Sequence, residues 1–230
     1  MKYVILIPIY NDRESLKLLI ENINNEVKGL NHELSIVIIN DASSQQIIDN
    51  YPNIENIQSI EIVNMKENRG HARCIASGLK YVFEKKEFDY VIPMDGDGED
   101  RPEEIKKFIE ISKEVGDKSI VGERVKRSEG IFFKVCYQFH KFLTLTFTGQ
   151  SIKFGNFTCL SKSTMKMMIN EKATWNSFSG SLKKVEKELV SMPSTRGKRY
   201  FGPSQMSYLN LLKHSLSIVS VFRKTVLIRS

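Results

Sequence analysis

The sequence predicts an α/β fold in which a mostly parallel, Rossmann-like sheet is flanked by helices. Short runs of aliphatic and β-branched residues, typical of strands buried on both faces, alternate with stretches whose apolar residues recur at helical spacing. The predicted strands are Val4–Ile9, Leu34–Ile39, Ser59–Val63, Tyr90–Met94 and Ser119–Val121. The predicted helices between them include Ser15–Val27 and His71–Phe83. This alternation is the pattern of a sheet built from β-α-β units.

Composition and charge narrow the class of protein. The chain has 230 residues, of which 41% are apolar and 27% charged, enough for one core with a smaller appendage. Its three cysteines, Cys74, Cys136 and Cys159, are widely spaced, which predicts neither a disulfide framework nor a zinc site and favours a reducing compartment. The net charge of +7 is concentrated after Leu182 and favours a phosphate-bearing partner. No nucleic-acid-binding motif accompanies this charge, so nucleic acid is not expected.

Polar residues follow three of the predicted strands. Tyr10, Asn11 and Asp12 come after the first, Asp41 after the second, and the segment from Asp95 to Asp97 after the fourth. Ligands of open parallel sheets bind at the carboxyl ends of the strands. These residues are therefore predicted to line one crevice.

The segment after the fourth strand predicts a metal site. Asp95 and Asp97 alternate at a strand tip, and Gly96 and Gly98 allow the backbone to approach a phosphate closely. Mg²⁺ or Mn²⁺ is commonly held by one or two carboxylates, with substrate phosphate and water as the other ligands. The alternative is an acidic turn that caps a helix beginning near Pro102.

Four ordered motifs in the first half of the chain resemble the family 2 glycosyltransferases, which have the nucleotide-sugar-binding GT-A fold. The motifs are Ile7–Asn11, Ile39–Ser44, Asn68 to Gly70 with Ala76 and Gly78, and Met94–Glu103. The resemblance implies that a nucleotide-diphosphate sugar binds to Pro8, Ile9, Tyr10, Asn11, Asp41, Asn68, Gly70, Arg73, Asp95, Gly96 and Asp97. It also implies a metal site formed by Asp95, Asp97 and Glu99. The sequence does not identify the transferred sugar, and it does not distinguish a UDP donor from a GDP donor.

The second half is similar to the polyprenyl-phosphate branch of that family, the dolichyl-phosphate mannosyltransferase-like enzymes. The matching segments are Gly155–Lys162, Arg196–Met206 and a predicted helix over Tyr208–Val221. The branch's Arg-x-x-Gly-x-Ser-Lys pattern has Gln205 in place of its Lys, and Asn156 stands where the branch often has Asp. The resemblance implies that Arg196, Lys198, Arg199 and Ser204 bind the acceptor phosphate, and that Arg199 acts with Asp95 and Asp97 in catalysis.

The implied activity is metal-dependent, inverting transfer of a sugar to a polyprenyl phosphate at the cytoplasmic face of the membrane. A lipid phosphate is already ionised near neutral pH and needs no general base. The segment Thr174–Ser179, where relatives that use a hydroxyl acceptor place carboxylates, has none. Two alternatives stay open: transfer to a hydroxyl of a lipid-linked or surface glycan, and a non-catalytic, membrane-docked interaction protein. A separate alternative for the basic segment Arg196–Arg199 is a solvated surface loop, since exposed Lys and Arg are common.

The resemblance also suggests how the chain is organised. We expect a nucleotide-sugar-binding half at 1–122, an acceptor-side half of the same domain at 123–192, and a basic loop with an amphipathic, membrane-proximal helix at 193–230. The aromatic-rich stretch Ile131–Phe147 fits either a membrane-surface helix or a core or dimer helix, so a homo-oligomer is left open. No apolar run reaches the ~18 residues of a membrane span. The chain is expected to be peripheral or the soluble part of a longer membrane protein.

Overall fold

The computed structural model describes residues 1–47, 51, 54–126, 152–202 and 220–221. The strands are β1 (Lys2–Ile9), β2 (Glu33–Asn40), β3 (Ser59–Asn64), β4 (Tyr90–Pro93), β5 (Ile120–Lys126), β6 (Phe154–Ser161) and β7 (Val190–Thr195). The helices are α1 (Arg13–Glu26), α2 (His71–Lys85), α3 (Ile105–Val115), α4 (Lys162–Asn170) and α5 (Phe178–Val185). Short 3-10 turns cover Pro102–Glu104 and Lys172–Trp175.

The strands form one sheet in the order β3-β2-β1-β4-β6-β5-β7. Strands β1 to β4 pair in parallel, β6 is antiparallel to both β4 and β5, and β7 is parallel to β5. Six of these seven strands therefore end at the same edge of the sheet, and β6 begins there. This arrangement confirms the predicted mostly parallel sheet.

The core has two layers, one on each face of the sheet. Alternate residues of β1 divide between them because successive side chains of a strand point to opposite faces. Ile5 packs in the layer that includes α1 and α3, whereas Leu6 packs in the layer that includes α2, α4 and α5. Both side chains are fully buried. The helices thus cover both faces of the sheet, and the polar residues of interest lie in the loops that follow the carboxyl ends of the strands.

The sequence-based prediction is wrong in one respect and incomplete in others. Strand β3 was expected to be buried on both faces, but it is an edge strand whose residues are half-buried or exposed. Strand β5 extends to Lys126, beyond its predicted end at Val121, and it crosses the predicted boundary between residues 122 and 123. The domain boundaries themselves stay a prediction.

Several predictions fall on residues outside the described ranges. The aromatic stretch Ile131–Phe147 lies there, as does Ser204 and most of the predicted helix Tyr208–Val221. Ser220 and Val221 are described and helical. In the part of the chain that the structure describes, no helix combines the length and apolar character that a membrane span requires.

Helix α2 packs closely on the sheet at Gly78. A Cβ atom at Gly78 would lie 2.5 Å from Leu6 Cδ1 and 2.7 Å from Ile39 Cγ1. Overpacking a core costs about 1–3 kcal/mol, while the helix propensity of Ala returns about 1 kcal/mol. Gly78→Ala should therefore lower the free energy of unfolding in urea, whereas the exposed helix substitution Lys80→Ala should change it little. A Gly78→Ala protein more stable than the unmodified chain would contradict this packing.

Candidate active site

Five chain segments meet at the carboxyl edge of the sheet. The loops after β1, β2, β4 and β7 begin there, and Asn156 lies near the start of the antiparallel β6. We call residues 95–100, which follow β4, the acidic loop. We call residues 196–200, which follow β7, the basic loop. The topology therefore brings the predicted donor-binding and acceptor-binding segments to one place.

The acidic loop is held tightly by its own hydrogen bonds. The Asp95 N–H donates to Asp100 Oδ2 at 2.8 Å, and the Glu99 N–H donates to Asp97 Oδ1 at 2.9 Å. A Cβ at Gly96 would lie 3.0 Å from Ile9 Cδ1, so the loop backbone packs directly on the end of β1. The side chains of Asp95 and Asp97 are 20% and 16% exposed. These two carboxylates reach the surface while the loop that carries them is fixed.

Both arginines of the basic loop contact carboxylates. Arg199 donates from Nη1 to Asp97 Oδ2 at 2.6 Å and from Nη2 to Asp12 Oδ2 at 2.9 Å. Arg196 donates from Nη2 to Glu99 Oε2. Among the residues predicted to bind the acceptor phosphate, these two arginines are therefore next to the predicted metal site. Lys198 is exposed, and Ser204 lies outside the described residues.

His71 and Asn156 lie close to Asp95 and to each other. His71 Nε2 is 3.3 Å from Asp95 Oδ1, and Asn156 Nδ2 is 2.7 Å from the same ring nitrogen and 3.5 Å from the carboxylate oxygen. The neutral ring can accept from Asn156, whereas the protonated ring donates to Asp95. His71 is the first residue of α2, which places the amino end of that helix beside the acidic loop.

The carboxylates of the acidic loop differ in pKa. Burial acts to raise the pKa of Asp95, but His71, Arg196 and Arg124 hold it well below its usual range. Burial and the nearby Asp95 raise the pKa of Asp97 to about 6, even though Arg199 acts in the opposite direction. Burial and Asp95 likewise raise the pKa of Asp100. Burial is the first cause of the raised pKa of both Asp97 and Asp100, and the negative charge of Asp95 is the second.

This donor set fits a divalent cation held by two carboxylates. Asp95 and Asp97 offer the hard oxygen ligands that Mg²⁺ and Mn²⁺ prefer, and an added cation would favour the ionised form of Asp97, whose pKa is raised. Within the described ranges, no three His, Cys, Asp or Glu side chains group as a ligand set. The carboxylate of Glu99, the predicted third ligand, is paired with Arg196. Its role as a ligand stays a prediction, and substrate phosphate and water would complete the shell.

The residues predicted to bind the nucleotide lie on loops that are tied together. Asp41 is buried, and its two carboxylate oxygens accept from the Arg69 N–H at 2.8 Å and the Gly70 N–H at 2.9 Å. Asn11, which has a positive φ of 49°, accepts at Oδ1 from the Ser44 N–H at 2.9 Å. These contacts fix the shape of the loops after β1 and β2 and before α2. The direct nucleotide contacts predicted there, including Tyr10, Asn68 and Arg73, stay predictions.

A polar cleft of about 500 Å³ lies farther out, at the carboxyl ends of β2 and β3. Asn40 and Asn64 line it and are joined by a 2.8 Å hydrogen bond. Its size is in the range of small-molecule sites, but no residue of the acidic or basic loop lines it. We therefore place the candidate chemistry at the two loops rather than in this cleft.

Sequence reasoning missed several residues of the site. Arg124 lowers the pKa of Asp95, and it escaped notice because β5 was predicted to end before it. Asp12 was noted at a strand end but given no role, although its carboxylate binds Arg199. Tyr200 was passed over inside the basic segment. Had the fifth strand been predicted to reach Lys126, Arg124 would have been expected near the carboxyl edge of the sheet, where the other candidate residues lie.

Comparisons with known proteins found a matching family model and several relatives. The model of the family described as "Glycosyl transferase family 2" matches residues 4–176. Two relatives are named undecaprenyl-phosphate 4-deoxy-4-formamido-L-arabinose transferase. The one from Proteus mirabilis is 26% identical, with 92% of this chain and 64% of the relative covered. The one from Yersinia enterocolitica is 24% identical, with coverage of 98% and 69%. The chain thus spans about two thirds of the length of these relatives.

Solved structures share the fold at low sequence identity. A mannosyltransferase from Pyrobaculum calidifontis in complex with GDP-Man and Mn²⁺ superposes with a TM-score of 0.68 and 14% identity, over 99% of this chain and 64% of that chain. A glucosyl-3-phosphoglycerate synthase from Mycobacterium tuberculosis, solved with Mn²⁺, UDP-Glc and phosphoglyceric acid, gives a TM-score of 0.69 and 12% identity, over 98% and 79%. At these identities the likeness concerns the fold alone.

Proposed function

Since the chain belongs to glycosyl transferase family 2, we propose that it moves a sugar from a nucleotide-diphosphate sugar to a polyprenyl phosphate, with a divalent metal ion and inversion at the anomeric carbon. The observation that carries this proposal is the contact between the acidic and basic loops, in which Arg199 lies 2.6 Å from Asp97. Ligands suited to a metal and ligands suited to a phosphate thus share one edge of the sheet. The named substrate of the curated relatives, undecaprenyl phosphate, supports the acceptor.

On the donor side, Asp95 and Asp97 would hold Mg²⁺ or Mn²⁺. The bound metal would supply a Lewis acid that neutralises the charge of the departing nucleoside diphosphate. The amino end of α2, a helix of 15 residues that begins at His71, lies beside these carboxylates. Free N–H groups at a helix amino end favour phosphate. The donor diphosphate would therefore lie between α2 and the acidic loop.

On the acceptor side, both arginines have donor capacity left over. The Nε atoms of Arg196 and Arg199 are buried and have no hydrogen-bond partner among the described residues. A buried donor without a partner costs about 1–3 kcal/mol, and a phosphate oxygen would satisfy it. Phe201, which follows the basic loop and is about half exposed, offers an apolar surface to a lipid. These features support a lipid phosphate as the acceptor.

The proposed reaction needs no proton transfer at the acceptor. An ionised oxygen of the lipid phosphate attacks the anomeric carbon, and the bond from that carbon to the diphosphate oxygen breaks as the new bond forms. The products are a polyprenyl-phosphate sugar and a nucleoside diphosphate. The acceptor phosphate and the donor diphosphate are both negatively charged and repel each other. Arg196 and Arg199 would hold the acceptor phosphate close to the donor in spite of this repulsion. Catalysis in this scheme consists of positioning and charge stabilisation.

We further propose that the protein works at the cytoplasmic face of the membrane. Its acceptor would be a lipid, and a chain with a net charge of +7 is attracted to anionic leaflets. Binding to vesicles with and without anionic lipid tests this placement. A homo-oligomer, left open by the sequence, is tested by measuring the mass of the protein in solution.

The donor side is tested by a thermal-shift titration with UDP, GDP, dTDP and CMP, each with Mn²⁺ or with EDTA. A ligand that binds the folded state alone raises the melting temperature. We expect one nucleoside diphosphate to raise it by several degrees with Mn²⁺, since binding at a hundred times Kd adds about 2.7 kcal/mol. EDTA should remove the shift. No shift with any nucleotide would overturn the intact transferase and favour a non-catalytic interaction protein.

The acceptor side is tested with the donor class found above. Short-chain polyprenyl phosphate and a matched polyprenol, which has a hydroxyl and no phosphate, are compared as acceptors by mass spectrometry of the lipid products. We expect product with the phosphate and none with the alcohol. Transfer to a glycan hydroxyl, with none to the lipid phosphate, would replace this proposal with the hydroxyl-acceptor alternative.

A further inference from the structure

Tyr200 links the basic loop to two other parts of the site. Its phenol oxygen accepts a hydrogen bond from Asn22 Nδ2 on α1 at 2.9 Å. Its backbone N–H donates to Asp97 O at 2.9 Å. One residue thus connects a helix on one face of the sheet with the backbone of the acidic loop.

The ring of Tyr200 packs against the backbone of Gly98. A Cβ at Gly98 would lie 2.5 Å from Cε2 of the ring and 2.6 Å from Cδ2 and Cζ, so no side chain fits at this position. Gly98 also has a positive φ of 85°, a backbone conformation that residues other than glycine rarely adopt. The sequence suggested that this glycine leaves space for a phosphate. The close neighbour that the structure gives it is an aromatic ring.

The two loops are joined through their backbones as well as by ion pairs. The Gly197 N–H donates to Glu99 O at 2.7 Å, in addition to the bond from Tyr200 to Asp97 O. Just outside the two loops, the Thr195 N–H at the end of β7 donates to the buried Glu104 at 3.0 Å. A Cβ at Gly197 would lie 2.9 Å from Gly98 O. The basic loop is thus seated on the acidic loop along its length.

From these contacts we propose that Tyr200 is a positioning residue that holds Arg199 and Arg196 over the acidic loop for the acceptor phosphate. The proposal rests on the proposed function for the identity of that phosphate. Tyr200 directly follows Arg199, whose guanidinium bridges Asp97 and Asp12. A long, flexible side chain keeps such a bridge when its backbone is fixed, and Tyr200 fixes that backbone at three points: the phenol, the ring and the N–H.

Two substitutions distinguish the contribution of the phenol hydroxyl of Tyr200 from that of its ring. Tyr200→Phe keeps the ring on Gly98 and loses the hydrogen bond to Asn22, whereas Tyr200→Ala loses both. The matched control is Tyr81→Phe, which removes a phenol that donates to Glu61 on β3, away from the two loops. A further variant, Asn22→Ala, removes the other partner of the phenol hydrogen bond.

The first measurement is amide hydrogen exchange of the whole chain, which needs no substrate. The N–H groups of Gly197 and Tyr200 should exchange at least about tenfold faster in Tyr200→Ala, because local opening becomes easier. Tyr200→Phe should show a smaller increase, and Tyr81→Phe none at these two residues. Unchanged exchange at Gly197 and Tyr200 in Tyr200→Ala would overturn the positioning role, whether or not the protein is a transferase.

The second measurement is steady-state transfer to short-chain polyprenyl phosphate. Tyr200→Ala should lower kcat/KM for the acceptor about ten- to a hundredfold, and Tyr200→Phe should restore most of it, while the nucleotide-dependent thermal shift stays. Asn22→Ala combined with Tyr200→Phe should be no worse than either alone, since both remove one interaction. Acceptor kinetics like those of the unmodified chain in Tyr200→Ala would overturn the proposal. Absence of transfer in the unmodified chain would overturn the proposed function and leave the exchange result standing.

Discussion

Asp97→Asn should reduce sugar transfer at least about a thousandfold, which corresponds to about 4 kcal/mol of transition-state stabilisation. The substitution keeps the size of the side chain and its Oδ1 acceptor for the Glu99 N–H. It removes the negative charge and replaces Oδ2, the atom that binds Arg199 at 2.6 Å. A metal held by Asp95 and Asp97 would lose one of its two carboxylates, and with it much of its affinity.

The same substitution should leave the fold intact. The raised pKa of Asp97, about 6, means that folding disfavours its ionised form, so the stability this carboxyl gives at low pH is lost as the pH rises through that value. An amide stays neutral and avoids this loss, whereas its Nδ2 would face Arg199 Nη1, so the two effects on stability oppose each other and the protein should stay folded at pH 7 in the absence of metal. Asp117→Asn, on an exposed turn before the amino end of β5, is the matched control for activity and stability.

Two quantities are measured: the initial rate of transfer and the affinity for Mn²⁺. The affinity is determined from the paramagnetic resonance signal of the free ion. We expect Asp97→Asn to weaken Mn²⁺ binding and Asp117→Asn to leave it unchanged. Transfer by Asp97→Asn at the normal rate, or equal Mn²⁺ affinity in both proteins, would contradict the metal site.

Arg199→Ala should lower transfer to the acceptor phosphate about a hundred- to a thousandfold, a loss similar to that of one charge-stabilising donor in other active sites. Arg199 spans Asp97 and Asp12 with separate nitrogens of one planar group. Lysine has a single ammonium and does not reproduce this fork. Arg199→Lys should therefore restore part of the activity and not all of it.

Arg199→Ala should also leave Asp97 and Asp12 without their partner, which lowers the melting temperature in EDTA because their charge is no longer compensated. Saturating Mn²⁺ with nucleotide should reduce this difference. Lys118→Ala is the matched control, since it removes one positive charge on the turn before β5. Acceptor kinetics unchanged by Arg199→Ala would contradict a role of the basic loop in acceptor binding.

Much of the donor half could be predicted from local patterns. The runs that form β1, β2 and β4 are continuously apolar because both faces of the sheet are covered by helices, and that pattern is visible in a single sequence. The comparisons confirm the family 2 resemblance and the GT-A fold predicted from the four ordered motifs. The burial of β3 was predicted wrongly because an apolar run does not reveal which strand lies at the edge.

The contacts of the site were less predictable than its segments. Tyr200 and Asn22 are separated by 178 positions in the chain, and Arg199 and Asp12 by 187. Pairing over such distances follows from strand order and direction, which no local pattern encodes. The roles of Gly98 and Arg196 likewise depend on a neighbour from the other loop.

By itself, the sequence determined that this is an α/β protein of glycosyl transferase family 2 with carboxylates at a strand end, because apolar periodicity and short motifs are properties of consecutive residues. The tertiary structure decided that β7 is parallel to β5 and that β6 is antiparallel. Those directions bring the basic loop and Asn156 to the edge where Asp95 and Asp97 lie. The physical reason is that charged groups distant in sequence interact only when the packing of the sheet sets their distance.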